Sequence, residues 1–265
     1  MLWFYITVAF LVIIGLAFGS FLTCLTYRDP RGMAFLKGRS HCPRCKHIIV
    51  WYDNLPVLSY LILGGRCRHC HAGISIRYPL IELSTAVLFV VAFWLYSHCN
   101  LGFSFCSWRA FLGNLTLPFL LFHLVIIMAI FVIDLENTII PDWLVFLGLG
   151  VAFVAFFIDG GDLYTRLLSS FFAASFLLFL NLATRGRGMG LGDVKFALYG
   201  GIFFNIQMMI TWLFGAFLIG AVTGVILLLL KKARLGARIP FGPFLAASLI
   251  LTLVFGNAVK LFPIF

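Results

Sequence analysis

The chain has 265 residues, 63% of them hydrophobic and only 11% charged, with a mean hydropathy of +1.09. A composition this apolar excludes a soluble globular domain, because most of the chain must sit in lipid. The formal net charge of +10 does not call for a nucleic-acid partner, and none is expected, because the Lys and Arg residues fall where membrane topology would put them.

A helix needs about 20 apolar residues to cross the hydrocarbon core, and such runs recur from end to end. The predicted fold is an all-α polytopic membrane protein with about eight transmembrane helices and the N-terminus outside. A first span over 2–24 runs inward; the apolar stretch Leu2 to Leu22 has no basic residue before it and several after it, the pattern of a retained anchor rather than a cleaved signal peptide. Residues 26–78 are the one long polar stretch and carry nine of the nineteen basic residues (Arg28, Arg31, Lys37, Arg39, Arg44, Lys46, Arg66, Arg68, Arg77), so they are placed in the cytoplasm. Span 2 covers 79–96, residues 98–114 lie outside, span 3 returns over 115–133, and span 4 leaves over 142–158 after an inner turn from Asp134 to Pro141. Span 5 covers 165–183, and the inner loop 184–195 carries Arg185, Arg187 and Lys195.

Residues 196–206 are apolar but short and interrupted by Gly200 and Gly201, so they either cross as a short sixth span or re-enter. Crossing puts the end of span 7 (207–230) beside Lys231, Lys232, Arg234 and Arg238 on the inside, before a last span over 240–258. The inner loops then hold sixteen basic residues, and the outer side holds Arg109, Arg166 and Lys260. Three segments follow: a first transmembrane helix (1–25), a cytoplasmic zinc-binding domain (26–78) and a transmembrane core (79–265). No internal repeat is evident.

The polar segment contains Cys42-Pro-Arg-Cys45 and, after 21 intervening residues, Cys67-Arg-His-Cys70. Paired C-x-x-C turns offer four sulfurs to a tetrahedral Zn2+, whose binding can fold a segment too small for a large core of its own. Redox disulfides, or replacement of one sulfur by His41, His47, His69 or His71, are the alternatives, and a cytoplasmic location disfavours the first. Cys99 and Cys106 lie in the outer loop, where a disulfide is open to them; Cys24 is read as a packing residue.

Only nine residues are acidic, and a charge at mid-membrane is costly. Asp29 and Asp53 fall in the polar segment and Asp159 and Asp162 in an outer turn, where water solvates them. Glu82, Asp134, Glu136, Asp142 and Asp193 all fall at cytoplasmic ends of spans. Asp134 follows the run Ile126 to Ile133, and Asp193 lies in Gly190-Leu-Gly192-Asp193-Val-Lys195, at the same membrane depth. Two carboxylates held close share one proton, so that one acts as base toward a water and the other as acid on the scissile carbonyl. Gly190 and Gly192 leave room beside Asp193 for an extended substrate backbone. The alternatives are that Asp193 pairs with Lys195 or caps the following helix, that Asp142 only starts a helix after Pro141, and that Glu136 is a solvated turn residue.

In this order, Gly19-Ser-Phe-Leu22 with Tyr27-Arg28, the two C-x-x-C pairs, Trp51 to Tyr60, Arg77-Tyr-Pro-Leu-Ile-Glu82, Ile133-Asp134, Ile140-Pro141-Asp142, Gly190 to Lys195 and Ile239 to Leu245 resemble the type IV prepilin leader peptidase family, a branch of intramembrane aspartyl proteases with a Gly-x-Gly-Asp motif. The resemblance covers most of the chain. It implies that Asp134 and Asp193 are catalytic, supported by Gly190, Gly192 and Lys195. It implies a bacterial inner-membrane enzyme with its active site facing the cytoplasm, acting on type IV pilin-like or pseudopilin precursors that carry a short basic leader ending in Gly. It further implies N-methylation of the new N-terminus with S-adenosylmethionine, with Glu82 near the methyl-donor site unless it pairs with Arg77. One departure is Glu136, where many relatives carry Asp. A proton-coupled transporter or channel is the competing reading, since intramembrane acids and a broken helix also mark that class; a zinc-dependent sensor without catalysis is a further one.

Overall fold

The computed structural model describes residues 2–35, 38–99, 103–159, 163–186, 188–232 and 239–256. Lys37, Asp162, Arg187, Arg234, Arg238 and Lys260, and the side chain of Asp159, lie outside the described residues. Among the described residues there are helices and two isolated β-bridges but no strand. Five stretches are long and apolar enough to cross a membrane: Leu2–Arg31, Arg77–Ser97, Ser104–Asn137, Leu163–Ala183 and Ile206–Leu229. Asp142–Ile158 and Gly242–Phe255 are shorter apolar helices. This is a multi-pass membrane protein. The chain forms two compact units, Met1–Trp94 and Leu95–Phe265.

In the first unit, helix α1 (Leu2–Arg28) runs antiparallel to α3 (Arg77–Ser97). A Cβ on Gly15 would lie 2.6 Å from the Ala86 Cα, and one on Gly19 would lie 2.6 Å from the Glu82 Cα. Two glycines four residues apart thus let the backbones touch, which is how helices gain contact in lipid, where apolar side chains gain little by leaving it. Arg77 turns toward α1, its guanidinium donating to the Thr26 hydroxyl at 2.7 Å and the Thr23 carbonyl at 3.4 Å.

Between these helices lie two matching knuckles. The Cys42 N–H donates to the His47 carbonyl and the Lys46 N–H to the Cys42 carbonyl; 25 residues later Cys67 N–H donates to Ala72 and His71 N–H to Cys67, all at 2.9 Å. Lys46 and His71 both take positive φ, 60° and 52°, and the bridges His41–Ile48 and Arg66–Gly73 close the two turns. The segment is therefore an internal duplication, Ser40–Ile49 and Gly65–Ile74, contrary to the expectation of no repeat. Beyond the cysteines and one Ile the two copies share little sequence, which is why the duplication shows only in the backbone.

In the second unit Cys99 and Cys106 are joined by a disulfide, followed by a short helix α4 (Arg109–Leu112) that leads into α5 (Thr116–Asn137). Ile127, Ala129, Ile130 and Ile133 of α5 are fully buried, and α6 (Asp142–Asp159), α7 (Leu163–Ala183), α8 (Leu191–Gly201), α9 (Ile206–Leu229) and α10 (Gly242–Phe255) complete the unit. Helix α8 packs on α7, α6 and α10. It has 11 residues, about 16 Å of rise and half of a bilayer core. It begins at Leu191, five residues before the expected sixth span, so Asp193 lies within a helix rather than in a loop. Such a short helix is tolerated because protein encloses it: Gly201 lies against the Ser170 backbone, Gly200 against Trp212, and Ile202, Phe203 and Phe204 are buried. Arg166, half-buried on α7, donates to the Phe203 carbonyl at 3.1 Å and satisfies the turn after α8.

Candidate functional site

Asp134 sits one turn from the C-terminus of α5 and is 5% exposed; Asp193 sits in the first turn of α8 and is 8% exposed. Asp193 feels the charge of Asp134. The Gly190 N–H donates to Asp193 Oδ2 at 3.0 Å, so Asp193 does cap its own helix, as one sequence alternative held. The Gly242 N–H, at the start of α10, faces the Asp134 carboxylate, whose Oδ2 is buried and has no hydrogen-bond partner.

Three glycines shape the site. A Cβ on Gly242 would lie 2.5 Å from Asp134 Oδ2 and 3.2 Å from Ile140 Cδ1, and one on Gly192 would lie 3.1 Å from Ile140 Cβ. Ile140 therefore fits between α8 and α10 beside Asp134. The room expected for a substrate backbone at Gly192 is filled by this side chain from within, and a Cβ on Gly190 would meet Asp193 Oδ2 at 3.3 Å.

Lys195 pairs with Asp142, its Nζ 2.7 and 2.8 Å from the two carboxylate oxygens. That ion pair ties the second turn of α8 to the first turn of α6. Asn181 of α7 donates to the Met189 carbonyl at 2.5 Å and so fixes the residue before the Gly190 cap. Further along α5, eleven residues and so about three turns from Asp134, buried His123 shares a 2.8 Å hydrogen bond between Nδ1 and the Tyr199 hydroxyl of α8, while its Nε2 has no partner. The helices that carry the two aspartates are thus joined by a buried polar pair. The sequence alone assigned no site role to Gly242, Ile140, Asn181, His123 or Tyr199; the signals on offer were a lone His in an apolar run and the motifs Ile140 to Asp142 and Ile239 to Leu245, which carry the resemblance.

In the first unit, Glu82 is 7% exposed. It accepts the Val57 N–H at 2.7 Å and the Ser20 hydroxyl.

Cys42, Cys45, Cys67 and Cys70 bring all four Sγ atoms within 4.8 Å of one another, with Cys42 and Cys70 3.8 Å apart. Four sulfurs about 2.3 Å from a tetrahedral Zn2+ lie about 3.8 Å from each other. The cluster could hold a metal, and its chemistry suits zinc. Backbone N–H groups of Cys45 and Arg44 pull the Cys42 thiol down to about 6. A backbone N–H from Ala72 favours the Cys70 thiolate, but desolvation and the neighbouring sulfurs outweigh it and push Cys70 up to about 11. The first thiolate therefore forms at Cys42.

Residues 13–96 match the Bacterial Peptidase A24 N-terminal domain and residues 119–225 the Type IV leader peptidase family. A Prepilin leader peptidase/N-methyltransferase of Pseudomonas aeruginosa is 32% identical over an alignment covering 94% of this chain and 90% of that protein. The chain belongs to the type IV leader peptidase family. Proteins of the same description from Stutzerimonas stutzeri (31% identical, 94% of this chain, 90% of the relative) and Neisseria gonorrhoeae (33%, 89% and 86%) are similarly close. No solved structure matches the chain. The buried Asp134 and Asp193 and the four-cysteine cluster lie in different units.

Proposed function

We propose that this chain is a prepilin leader peptidase that removes the short basic leader of type IV pilin-like precursors after a Gly, at the cytoplasmic face of a bacterial inner membrane, with Asp134 and Asp193 as catalytic residues. The observation that carries the reading is the paired burial of two carboxylates, one with an oxygen that has no hydrogen-bond partner among the described residues, in a chain with nine acidic residues. Two carboxylates coupled by charge hold one proton between them and titrate as a pair. The ionised member takes a proton from a water as its oxygen attacks the scissile carbonyl carbon, and the protonated member gives its proton to the carbonyl oxygen. The tetrahedral diol then collapses: its C–N bond breaks, the amine nitrogen takes a proton from one aspartate while a diol hydroxyl gives its proton to the other, and a carboxyl and a free amine leave with the pair holding one proton again. Asp134 Oδ2 is where the shared proton or the water is held. Gly190 and Asn181 hold the start of α8, Gly192 admits Ile140, and Lys195 with Asp142 fixes α8 to α6.

The same reading takes residues 1–25 as a first span, 26–78 as a zinc-binding domain in the cytoplasm and 79–265 as the membrane aspartyl core, with eight spans and the N-terminus outside. The disulfide between Cys99 and Cys106 supports an outer location for that loop. Zinc in the four-cysteine cluster would be structural: it would hold the two knuckles together. The relatives' names support methylation of the new N-terminal amine by S-adenosylmethionine. The apolar slot beside Glu82, lined by Val12, Leu16, Pro56, Val57, Leu58 and span residues of α3, offers no charged group to such a donor, so no transfer step is assigned to it. Transport gains no support from relatives named as peptidases and methyltransferases.

Mass spectrometry of a prepilin co-expressed with this protein tests the reading, because it reports the cut site and an added methyl together. Asp134→Asn and Asp193→Asn should each leave the precursor uncut while the protein accumulates in membranes; normal processing by either would overturn the assignment.

A further inference from the structure

The segment Leu55–Leu63, between the two knuckles, does not behave like part of a water-soluble domain. Its short helix α2 (Leu58–Ile62) places Leu58, Leu61 and Ile62 on one face, by their spacing of three and four residues, and these are 55%, 69% and 71% exposed. Leu58 lines a slot of about 360 Å³ together with Pro56, Val57, Val12 and Leu16 of α1, and Leu83, Val87 and Val91 of α3. Leu83, Val87 and Val91 form the outward stripe of a membrane helix, so whatever covers that stripe is continuous with what covers Leu58.

Depth agrees. The Val57 N–H is held by Glu82, five residues into α3 and at the level of Gly19 on α1. At 1.5 Å per residue, that is about 7 Å inside Arg77 and about 13 Å inside Arg28. Irregular backbone survives at such depth only if its polar groups are satisfied internally, and most of the N–H groups here bond within the segment. Leu58 N–H donates to Pro56, Ser59 to Leu55, Leu61 to Val57, Leu63 to Ser59, Gly64 to Leu61 and Gly65 to Tyr60. The Ser59 hydroxyl also donates to the Leu55 carbonyl at 2.6 Å. Val57 takes φ 60° and ψ −45°, a region a β-branched residue rarely occupies and which costs of order 1–3 kcal/mol. The Glu82 carboxylate holds that turn. A buried acid one to two turns inside a span thus has a structural partner in the segment it anchors.

We propose that Leu55–Leu63 is a re-entrant wedge that lies in the acyl region of the leaflet into which α1 and α3 open at Arg28 and Arg77, with Leu58, Leu61 and Ile62 in contact with lipid hydrocarbon. Its occupant is lipid rather than a partner protein, because its apolar face continues the lipid-facing stripe of α3. The flanking Arg28, Arg31 and Arg77 suit the anionic headgroups at that boundary.

The full chain is reconstituted in phosphatidylethanolamine/phosphatidylglycerol vesicles with the photoreactive residue p-benzoylphenylalanine in place of Leu61, Ile62 or, as a control, Arg44 in the first knuckle. After irradiation, mass spectrometry should find lipid adducts at 61 and 62 about tenfold or more above those at 44, the partition expected for burying one large apolar side chain. Equal lipid labelling at all three positions, no lipid adduct at 61 and 62, or adducts there to protein would each overturn the wedge. Because neither position touches Asp134 or Asp193, the result is independent of whether the chain cleaves prepilins.

Discussion

Gly242→Ala puts the smallest possible side chain against the proposed catalytic pair. The added Cβ would start 2.5 Å from Asp134 Oδ2 and 3.0 Å from its Cγ. Ordinary carbon–oxygen contact begins near 3.4 Å, so the carboxylate must retreat by about 0.9 Å or α10 must move away by as much. Ile140, itself 3.2 Å from the new atom, blocks one direction of escape. A misplacement of about 1 Å at a reacting group costs about 100-fold in rate, or about 2.7 kcal/mol of barrier. Gly224→Ala and Gly150→Ala are matched controls, since nothing lies within 4 Å of a Cβ at either position. Cleavage of a prepilin peptide by the purified variants in vesicles, with thermal unfolding alongside, separates lost catalysis from lost folding. Gly242→Ala should lose about two orders of magnitude in kcat/KM while the controls stay near wild type. A folded Gly242→Ala protein that cuts at the wild-type rate would refute the claim that this backbone positions Asp134.

Each Cys→Ser change at 42, 45, 67 or 70 should release zinc, read with a chromogenic chelator, and should reduce methylation more than cleavage; a metal-free, fully methylating variant would contradict this. Zinc should also leave as pH falls, because the metal binds thiolates and each proton competes with it; a zinc affinity that does not change with pH would count against a four-thiolate site. Tyr199→Phe leaves both nitrogens of buried His123 unpaired, at a cost of about 1–3 kcal/mol, and His123→Leu added to it should cost much less than it does alone. Additive losses in thermal unfolding would show that the two do not form a pair.

What the sequence made legible was whatever chemistry forces into view. Four cysteines in two C-x-x-C pairs have few uses in a short polar segment, and acids at the ends of apolar runs demand reasons. Ion pairing was less legible: Lys195 lies two residues from Asp193 yet reaches Asp142, 53 positions away in sequence, because the helix turns its side chain toward α6. The start of α8 was missed because Gly190 and Gly192 read as loop, whereas Asp193 supplies the N-terminal cap that lets the helix begin there. Gly242 lies in a stretch that the family resemblance marks, but its contact with Asp134 could not be read, since it depends on α10 meeting α5 across more than a hundred residues of chain.

Polar satisfaction sorts the acids better than position does. Asp53 and Asp142 pair with Arg68 and Lys195 at the surface, the Arg68 guanidinium holding the Asp53 carboxyl below the usual range. Glu82 is buried but satisfied by Val57 and Ser20, the condition of a structural anchor. Asp193 is buried with one oxygen engaged by its own helix cap. Among the buried acids of the described residues, Asp134 is left with an oxygen that no group of the protein satisfies. Leaving such an atom dry costs about 1–3 kcal/mol, and a fold keeps that cost where a proton, a water or a substrate will meet it.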